Sequence, residues 1–186
     1  YLNSHNIVKV REAQESIREL YGVDASRYEE DAAKKLYIRR IYDMIPSQME
    51  NKKKRIVAKD ILDCKGDRFS NYMEEFEYLI NSGITIASHA ISNPKYPLAE
   101  SQQKNLLKLY MNDVGMLTSQ LYHYNIQPIL NDIASINLGS VYESAVAQEL
   151  KAHYEKLFYY DNKQKGKVDF LVADSGTMSV LPIEVK

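Results

Sequence analysis

The sequence has no tryptophan, a single cysteine and only seven glycines among its 186 residues. One cysteine cannot form an internal disulfide, which excludes a disulfide scaffold, and the shortage of glycine favours helices with few tight turns. No apolar run approaches the ~18 residues of a membrane span, and no secretory signal is present. These absences predict a protein without membrane contact, with the cytoplasm as its default location.

The charges of the chain almost cancel, with 24 Lys and Arg against 25 Asp and Glu. A balanced chain has no overall field that attracts nucleic acid or membrane, so any such attraction must come from a local patch. The four histidines show no ligand spacing, so a zinc site is not expected. With 45% hydrophobic and 26% charged residues, the composition is typical of a globular protein of one large or two small domains.

The spacing of apolar residues predicts an α+β protein. The predicted helices cover 7–21 (ended by Gly22), a segment capped by Asp24 or Ser26 that runs to about 44, 46–50 (beginning at Pro46), 67–82 and 141–153. The predicted strands cover 84–91, 105–111, 156–160, 167–173 and 178–186.

The order of these elements predicts two regions with a boundary at about 125–137. Helices followed by a long hairpin are the order of a winged helix, so 1–130 is predicted to be a helical, winged-helix-like region. One helix followed by three strands forms an α+β unit over 131–186. Winged helices are used for both DNA and protein contacts, so this order leaves the function open.

Basic residues are concentrated between positions 34 and 55, a segment that contains eight basic residues and only two acidic ones. Such an excess predicts a phosphate-binding patch, although a solvated helix face is an equally good interpretation. The helix over 67–82 carries Glu74, Glu75 and Glu77, which would repel phosphates and therefore favour a protein contact. The basic residues are Lys34, Lys35, Arg39, Arg40, Lys52, Lys53, Lys54 and Arg55.

Charged residues interrupt two of the predicted strands. Alternation along the first of them places Asp169 opposite a face that Val168, Phe170 and Val172 share.

The last predicted strand carries Glu184 and Lys186 on one face, and a hairpin between the two strands would bring Asp169 close to both. Glu143, at the border of the apolar face of the preceding helix, can converge on the same place. Glu149 is expected nearer the middle of that apolar face, where a buried carboxylate needs a partner. The sequence therefore predicts a cluster of two or three carboxylates and one lysine beside a sheet.

Carboxylate oxygens are hard ligands that suit Mg²⁺, and a nearby ammonium can orient water or stabilise charge on a phosphate. In this hypothesis Asp169 and Glu184 bind the metal, Lys186 assists the water and Glu143 completes the acidic cluster. The cluster would then carry out phosphodiester hydrolysis.

The arrangement of an Asp, a turn and a Glu-x-Lys resembles the PD-(D/E)XK nuclease superfamily. The chain also contains several longer motifs: Ile-Tyr-Asp-Met-Ile-Pro-Ser-Gln at 41–48, Leu-Tyr-Met-Asn-Asp-Val-Gly-Met-Leu at 109–117, Gly-Ser-Val-Tyr-Glu at 139–143, Val-Ala-Gln-Glu-Leu at 146–150, Val-Asp-Phe at 168–170 and Pro-Ile-Glu-Val-Lys at 182–186. Together these motifs resemble the domain of unknown function that follows the ATPase module in many prokaryotic AAA-type ATPases.

The resemblance implies a winged-helix-like segment joined to a restriction-endonuclease-like segment, truncated in this chain, and an ATPase domain that precedes Tyr1. This piece carries no Gly-x-x-x-x-Gly-Lys-Ser/Thr motif, so ATP is not expected to bind in it. The sequence departs from the family at Lys167, where an acidic residue is usual, and at Lys186, beyond which the nuclease-like core normally continues.

Three functions follow as expectations. The first is a module of an AAA-type ATPase that binds nucleic acid or a protein partner. The second is a Mg²⁺-dependent DNA endonuclease, and the third is a non-catalytic protein-interaction module.

Overall fold

Helices occupy most of the first half of the chain, and strands follow in two groups. The computed structural model describes residues 5–27, 29–51, 54–62, 66–123, 127, 131 and 138–186. In that part of the chain the α-helices are α1 (Ile7–Arg27), α2 (Ala32–Glu50), α3 (Lys59–Leu62), α4 (Met73–Asn81), α5 (Val114–Tyr122) and α6 (Gly139–His153). The strands are β1 (Thr85–Ile91), β2 (Gln102–Met111), β3 (Leu157–Asn162), β4 (Gly166–Asp174) and β5 (Ser179–Ile183). The predicted α+β class is confirmed.

All five strands form one sheet in the order β2-β1-β3-β4-β5. The predicted hairpins are present, because β1 pairs antiparallel with β2 and β4 pairs antiparallel with β5. However, β1 also pairs in parallel with β3, so the first hairpin is part of the larger sheet and does not project from the domain as a wing. Strands from both sides of the predicted boundary therefore share one sheet.

The sheet separates two apolar clusters of different size. The main core lies on the face covered by the helices and includes Ile41, Phe76 and Leu157. The second cluster, which includes Leu98 and Phe158, lies on the opposite face. Adjacent strand residues point to opposite faces, which is why Leu157 and Phe158 belong to different clusters.

The helix α2 is longer than predicted at its C-terminal end. It runs through Pro46, so the prediction of a separate helix beginning there is wrong. Ile45 and Met49 are buried on either side of this position, and the hydroxyl of Ser47 donates to the carbonyl of Met44 at 2.8 Å. Burial of a continuous apolar stripe offsets the one backbone hydrogen bond that a proline removes.

The helix α1 also continues beyond its predicted end. Gly22 does not stop it, because Gly22 is buried against the guanidinium group of Arg39 and Ala25 extends the same packed face. The cap of the next helix is Asp31, whose carboxylate accepts from the backbone N–H of Ala33 and Lys34. Asp24 and Ser26 lie within α1, so their prediction as caps is wrong.

The predicted helix over 67–82 is divided into a 3₁₀ turn, Phe69–Tyr72, and α4. The carboxylate of Asp67 holds the turn by accepting from Asn71 and Tyr72. Gly83 follows the last turn with a φ of 75°, a left-handed conformation that glycine adopts without steric cost. The predicted stop at this glycine is confirmed.

A bulge interrupts the pairing of β3 with β4. The register shifts between Phe158 and Tyr160, and the two faces of β4 exchange at that point. Phe170 and Val172 pack in the main core, whereas Val168 packs in the second cluster. The prediction that these three residues share a face is therefore wrong.

Within the described residues, none of the helices combines the length and the apolar character that crossing a bilayer requires.

Candidate functional site

Glu143 enters the site from α6, whose buried face is small and polar. Ser140, Glu143, Ser144 and Ala147 are buried at helical spacing, so the carboxylate points toward the sheet. The Ser144 hydroxyl donates to the carbonyl of Ser140 at 2.8 Å, and the Ser140 hydroxyl donates to the carboxylate of Glu50. The helix is thus fixed by polar contacts on the side that carries Glu143.

Both oxygens of the Glu143 carboxylate are occupied by donors of this chain. Oε1 accepts from Lys108 Nζ at 2.8 Å and from the Tyr110 hydroxyl at 2.7 Å, and Oε2 accepts from Lys54 Nζ at 2.5 Å. Glu143 is only 3% exposed and Lys108 is also buried. The carboxylate is therefore shared between two ammonium groups and one hydroxyl inside the protein.

These contacts set the ionisation of the site. Burial raises the pKa of Glu143, but the charges and hydrogen bonds of Lys108, Lys54 and Tyr110 outweigh it, so its pKa lies below the ordinary value. Burial, followed by the negative charge of Glu143, raises the pKa of the Tyr110 phenol well above its ordinary value. Glu143 is consequently ionised and Tyr110 is a neutral donor at neutral pH.

The predicted neighbourhood of Asp169 and Glu184 is present at the end of the β4–β5 hairpin. The Asp169 carboxylate accepts from the backbone N–H of Val185 at 3.1 Å. Burial, and then the charge and hydrogen bonding of Asp169, raise the pKa of Glu184, while Lys167 and Lys186 oppose the rise. Two carboxylates are therefore neighbours at this edge of the sheet, within the electrostatic influence of two ammonium groups.

A cavity of about 150 Å³ connects Glu143 with Asp169. Six charged residues line it, three of each sign, so their formal charges cancel. They are Lys54, Lys108, Lys167, Glu143, Asp161 and Asp169. The aromatic rings of Tyr159 and Tyr160 complete the wall, and burial raises the pKa of Tyr159 to about 12 although Arg55 opposes this rise.

The donor set fits a divalent cation only in part. Asp169 and Glu184 offer two neighbouring carboxylates, and Mg²⁺ accepts one or two carboxylates together with water. Glu143, in contrast, has both oxygens engaged by cations and a hydroxyl of the chain itself. Across the described ranges, no group of three or more His, Cys, Asp or Glu side chains is arranged to hold a metal ion.

Most of the predicted basic patch is engaged in contacts within the protein. Lys34 pairs with Glu74, Arg39 pairs with Asp43, and Arg40 donates to the carbonyl of Ile61 at 3.1 Å. Local acidic residues thus neutralise part of the excess positive charge on which the patch prediction depended.

The other members of that patch are distributed differently. Lys54 belongs to the cavity, Arg55 lies beside Tyr159, and Lys35 is half-buried on α2. Lys52 and Lys53 lie outside the described residues.

Glu149 was expected near the middle of the apolar face of its helix. Its side chain is instead 77% exposed and pairs with His153 at 3.1 Å, so this prediction is wrong. The face of α6 that is buried is the small, polar one that carries Ser140 and Glu143, which places Glu149 on the outside.

Sequence reasoning did not associate Lys108 and Tyr110 with Glu143. They are two residues apart on β2, so they share a face of the strand, but 33 or more residues separate them from Glu143. A lysine within a largely apolar strand was the one signal in the sequence that could have indicated a buried ion pair.

A second feature is the reversed polarity of α1. Its inward side chains are polar or small: Arg11 donates to Gln14, Thr118 and the carbonyl of Gly115, and Arg18 pairs with Asp43.

The large apolar side chains of α1 point outward instead. Leu20 is 61% exposed and Val23 is 56% exposed, and Ile17 and Tyr21 are also exposed. We call these four residues the α1 surface.

Comparison with protein families gives two matches that follow each other along the chain. Residues 138–186 match the family described as Domain of unknown function (DUF4143), and residues 2–125 match the one described as Domain of unknown function (DUF8612). Comparisons with curated proteins and with solved structures give no match. The second match covers about two thirds of the length of the chain, so the chain belongs to the DUF8612 family.

Proposed function

We propose that this chain is the protein-interaction module of an AAA-type ATPase and that it binds the ATPase domain of the same polypeptide through the α1 surface. The match over 138–186 supports the association, because that family accompanies AAA-type ATPases. In this proposal the nuclease-like segment is a scaffold that does not cut nucleic acid.

The exposed apolar side chains of α1 are the observation that carries this proposal. A helix at the edge of a globular domain normally turns its apolar side inward, whereas α1 turns Arg11, Arg18 and Gly22 toward its neighbours. Contiguous exposed apolar groups mark interaction sites, and burying a side chain such as Leu20 contributes about 1.5–3 kcal/mol. Binding of a partner would therefore recover a stabilisation that the chain by itself does not obtain.

The charges beside the α1 surface define the partner. Glu12 and Glu19 are exposed on the same helix, and the exposed Asp24 pairs with Arg27 at 3.8 Å, so the complementary surface is apolar with a basic rim opposite the two glutamates. Phosphates would be repelled by these carboxylates, and a second copy of the chain would place like charges opposite each other. A protein surface that is apolar with a basic rim meets both requirements, and we assign it to the ATPase domain.

The test is isothermal titration calorimetry of this chain against the separately purified ATPase domain. We expect saturable binding that the double substitution Leu20→Asp/Val23→Asp weakens about tenfold or more. The control is Leu181→Asp, an exposed apolar residue on the outer strand β5 that is 42% accessible. Circular dichroism melts establish that each variant remains folded.

Three results would contradict the proposal. The first is binding of equal strength by wild type and the α1 variant, and the second is no binding at all. The third is tight binding of a fluorescent DNA duplex that Lys35→Ala/Arg40→Ala abolishes, which would identify a nucleic-acid module instead.

The second candidate function is a Mg²⁺-dependent endonuclease, and the proximity of Asp169 to Glu184 favours it. When bound, a divalent cation would supply Lewis-acid chemistry at these two carboxylates, and Lys186 lies on the same edge of the sheet. Plasmid cleavage that requires Mg²⁺ and is lost in Asp169→Asn would support this function, and its absence in wild type would exclude it.

A further inference from the structure

The buried carboxylate of Glu143 already has the positive charge that a metal ion would bring. Lys54 Nζ and Lys108 Nζ lie at 2.5 and 2.8 Å from its two oxygens, which places two positive charges on one carboxylate. A divalent cation carries the same charge. The Tyr110 hydroxyl supplies the remaining hydrogen bond, as a metal-bound water could in a hydrated site.

The position of Lys108 is built into the fold. It stands on a central part of β2, is 7% exposed, and its ammonium group lies 4.8 Å from the centre of the Tyr159 ring. Burying an ammonium is costly unless a carboxylate and a cation–π contact compensate for the lost water. Lys108 is therefore a fixed occupant of the pocket and not a solvated surface charge.

Lys54 contacts the other oxygen of the same carboxylate. Its backbone has a φ of 48°, a conformation that is uncommon for residues other than glycine. Its side chain is 23% exposed, whereas the side chain of Lys108 is 9% exposed, so Lys54 is the more accessible of the two lysines.

The charge balance of the cavity also opposes a metal ion. Lys167 adds a third ammonium group to the wall, at the position where an acidic residue was expected from the family resemblance. With three lysines against three carboxylates, the cavity has no excess negative charge to attract a dication.

From these contacts we infer that Lys54 and Lys108 take the place of a divalent cation at Glu143, so that the nuclease-like pocket is held together without metal. In this pocket the ammonium groups of two lysines supply the positive charge that a metal ion would supply. This inference is independent of the α1 surface, and either can fail without the other.

The test is calorimetric titration of the chain with Mn²⁺ alone. We expect that wild type gives no Mn²⁺ binding that depends on Glu143. Lys54→Met/Lys108→Met should give saturable Mn²⁺ binding, with an association constant at least about tenfold above any that wild type shows. Adding Glu143→Gln to that variant should remove the gained binding. Methionine keeps much of the side-chain volume and removes the charge.

A second variant covers the possibility that the double substitution unfolds the chain. Lys54→Met alone keeps the buried Lys108 and changes only the partly exposed partner, and we expect a smaller gain that Glu143→Gln again removes. Circular dichroism selects the variants that are folded.

Either of two results would overturn the inference. Wild type could bind Mn²⁺ in a manner that Glu143→Gln abolishes, which would make Glu143 a ligand with its lysines in place. Alternatively, the folded lysine variants could show no binding that depends on Glu143.

Discussion

Lys108 Nζ lies 2.8 Å from Glu143 Oε1, and both side chains are almost completely buried. Lys108 belongs to the part of the chain that matches one family, and Glu143 belongs to the part that matches the other. Together with the parallel pairing of β1 and β3, this ion pair joins the two matched segments into one structure. The pair is therefore a structural connection as well as the centre of the candidate site.

Replacing Glu143 by glutamine should destabilise the protein strongly. The amide cannot compensate two ammonium groups, and loss of one partner from a buried charge network costs about 3 kcal/mol or more. Urea denaturation followed by circular dichroism measures the change. Glu149→Gln on the same helix is the control, and it should stay within about 0.5 kcal/mol because that side chain is exposed.

The contribution of Glu143 to stability should disappear in acid. Its pKa is lowered in the folded state, so the unfolded chain takes up the proton first as the pH falls. The stabilisation is complete above the ordinary pKa of 4.5 and is lost as the pH falls through the lowered value of the folded state. The measurement is the difference in unfolding free energy between wild type and Glu143→Gln at a series of pH values.

That difference should shrink steadily below pH 4.5, because protonation removes the charge with which Glu143 binds Lys54, Lys108 and Tyr110. If the difference in unfolding free energy stayed constant down to pH 2.5, these partners would not be stabilising the ionised form of Glu143. The glutamine would then act on packing alone.

His89 should titrate below its ordinary pKa. Burial, and then the charge of Lys156, lower the pKa of this imidazole from its ordinary value of 6.5. Gln102 lies 3.1 Å from its Nδ1. Proton NMR of the ring resonance, identified by its loss in His89→Gln, should give a midpoint below pH 6.5.

The sign for stability follows from the same shift. The unfolded chain protonates His89 first, so the contribution of the neutral imidazole is complete above pH 6.5 and decreases as the pH falls toward the folded value. A midpoint at or above pH 6.5 would mean that the ring is solvated and that its burial does not govern its charge.

Substituting alanine for each of two glycines, one on α1 and one on α5, should change the free energy of unfolding in opposite directions. A Cβ at Gly22 would lie 3.0 Å from the guanidinium group of Arg39, whose Nε donates to Asp43 at 2.8 Å. A shift of a few tenths of an ångström at the end of this long side chain accommodates the methyl group, so Gly22→Ala should gain about 0.5 kcal/mol from helix propensity. A Cβ at Gly115 would lie 2.3 Å from Gln14, whose amide is held by Arg11. Gly115→Ala should therefore cost about 1–3 kcal/mol.

Thermal unfolding of the two variants side by side distinguishes these effects. Equal destabilisation by both substitutions would show that the contact of Gly22 with Arg39 is as rigid as the contact of Gly115 with Gln14.

The sequence alone was sufficient to predict most of the individual helices and strands. Apolar periodicity predicted the helix and the strands of the last third closely, since α6 was expected over 141–153 and covers Gly139–His153. It failed where packing overrode a local signal, as at Gly22 and Pro46, because buried contacts further along each helix compensate for a residue that weakens it.

Part of the candidate site also follows from the sequence alone. Asp169 and Glu184 meet because an antiparallel hairpin with a short turn fixes which residues face each other. The partners of Glu143 could not be predicted in this way. Lys54, Lys108 and Tyr110 reach it from elements that are distant in sequence, and only the assembly of both segments into one sheet brings them together.

Composition and periodicity thus determined the class of the protein, its elements and the proximity of two carboxylates, because these depend on short-range geometry. The tertiary structure alone decided that the third carboxylate is compensated by two lysines and that the apolar side of α1 faces outward. Both features depend on which distant surfaces pack together, and that choice is made by the total burial of the fold, which no single segment of the sequence encodes.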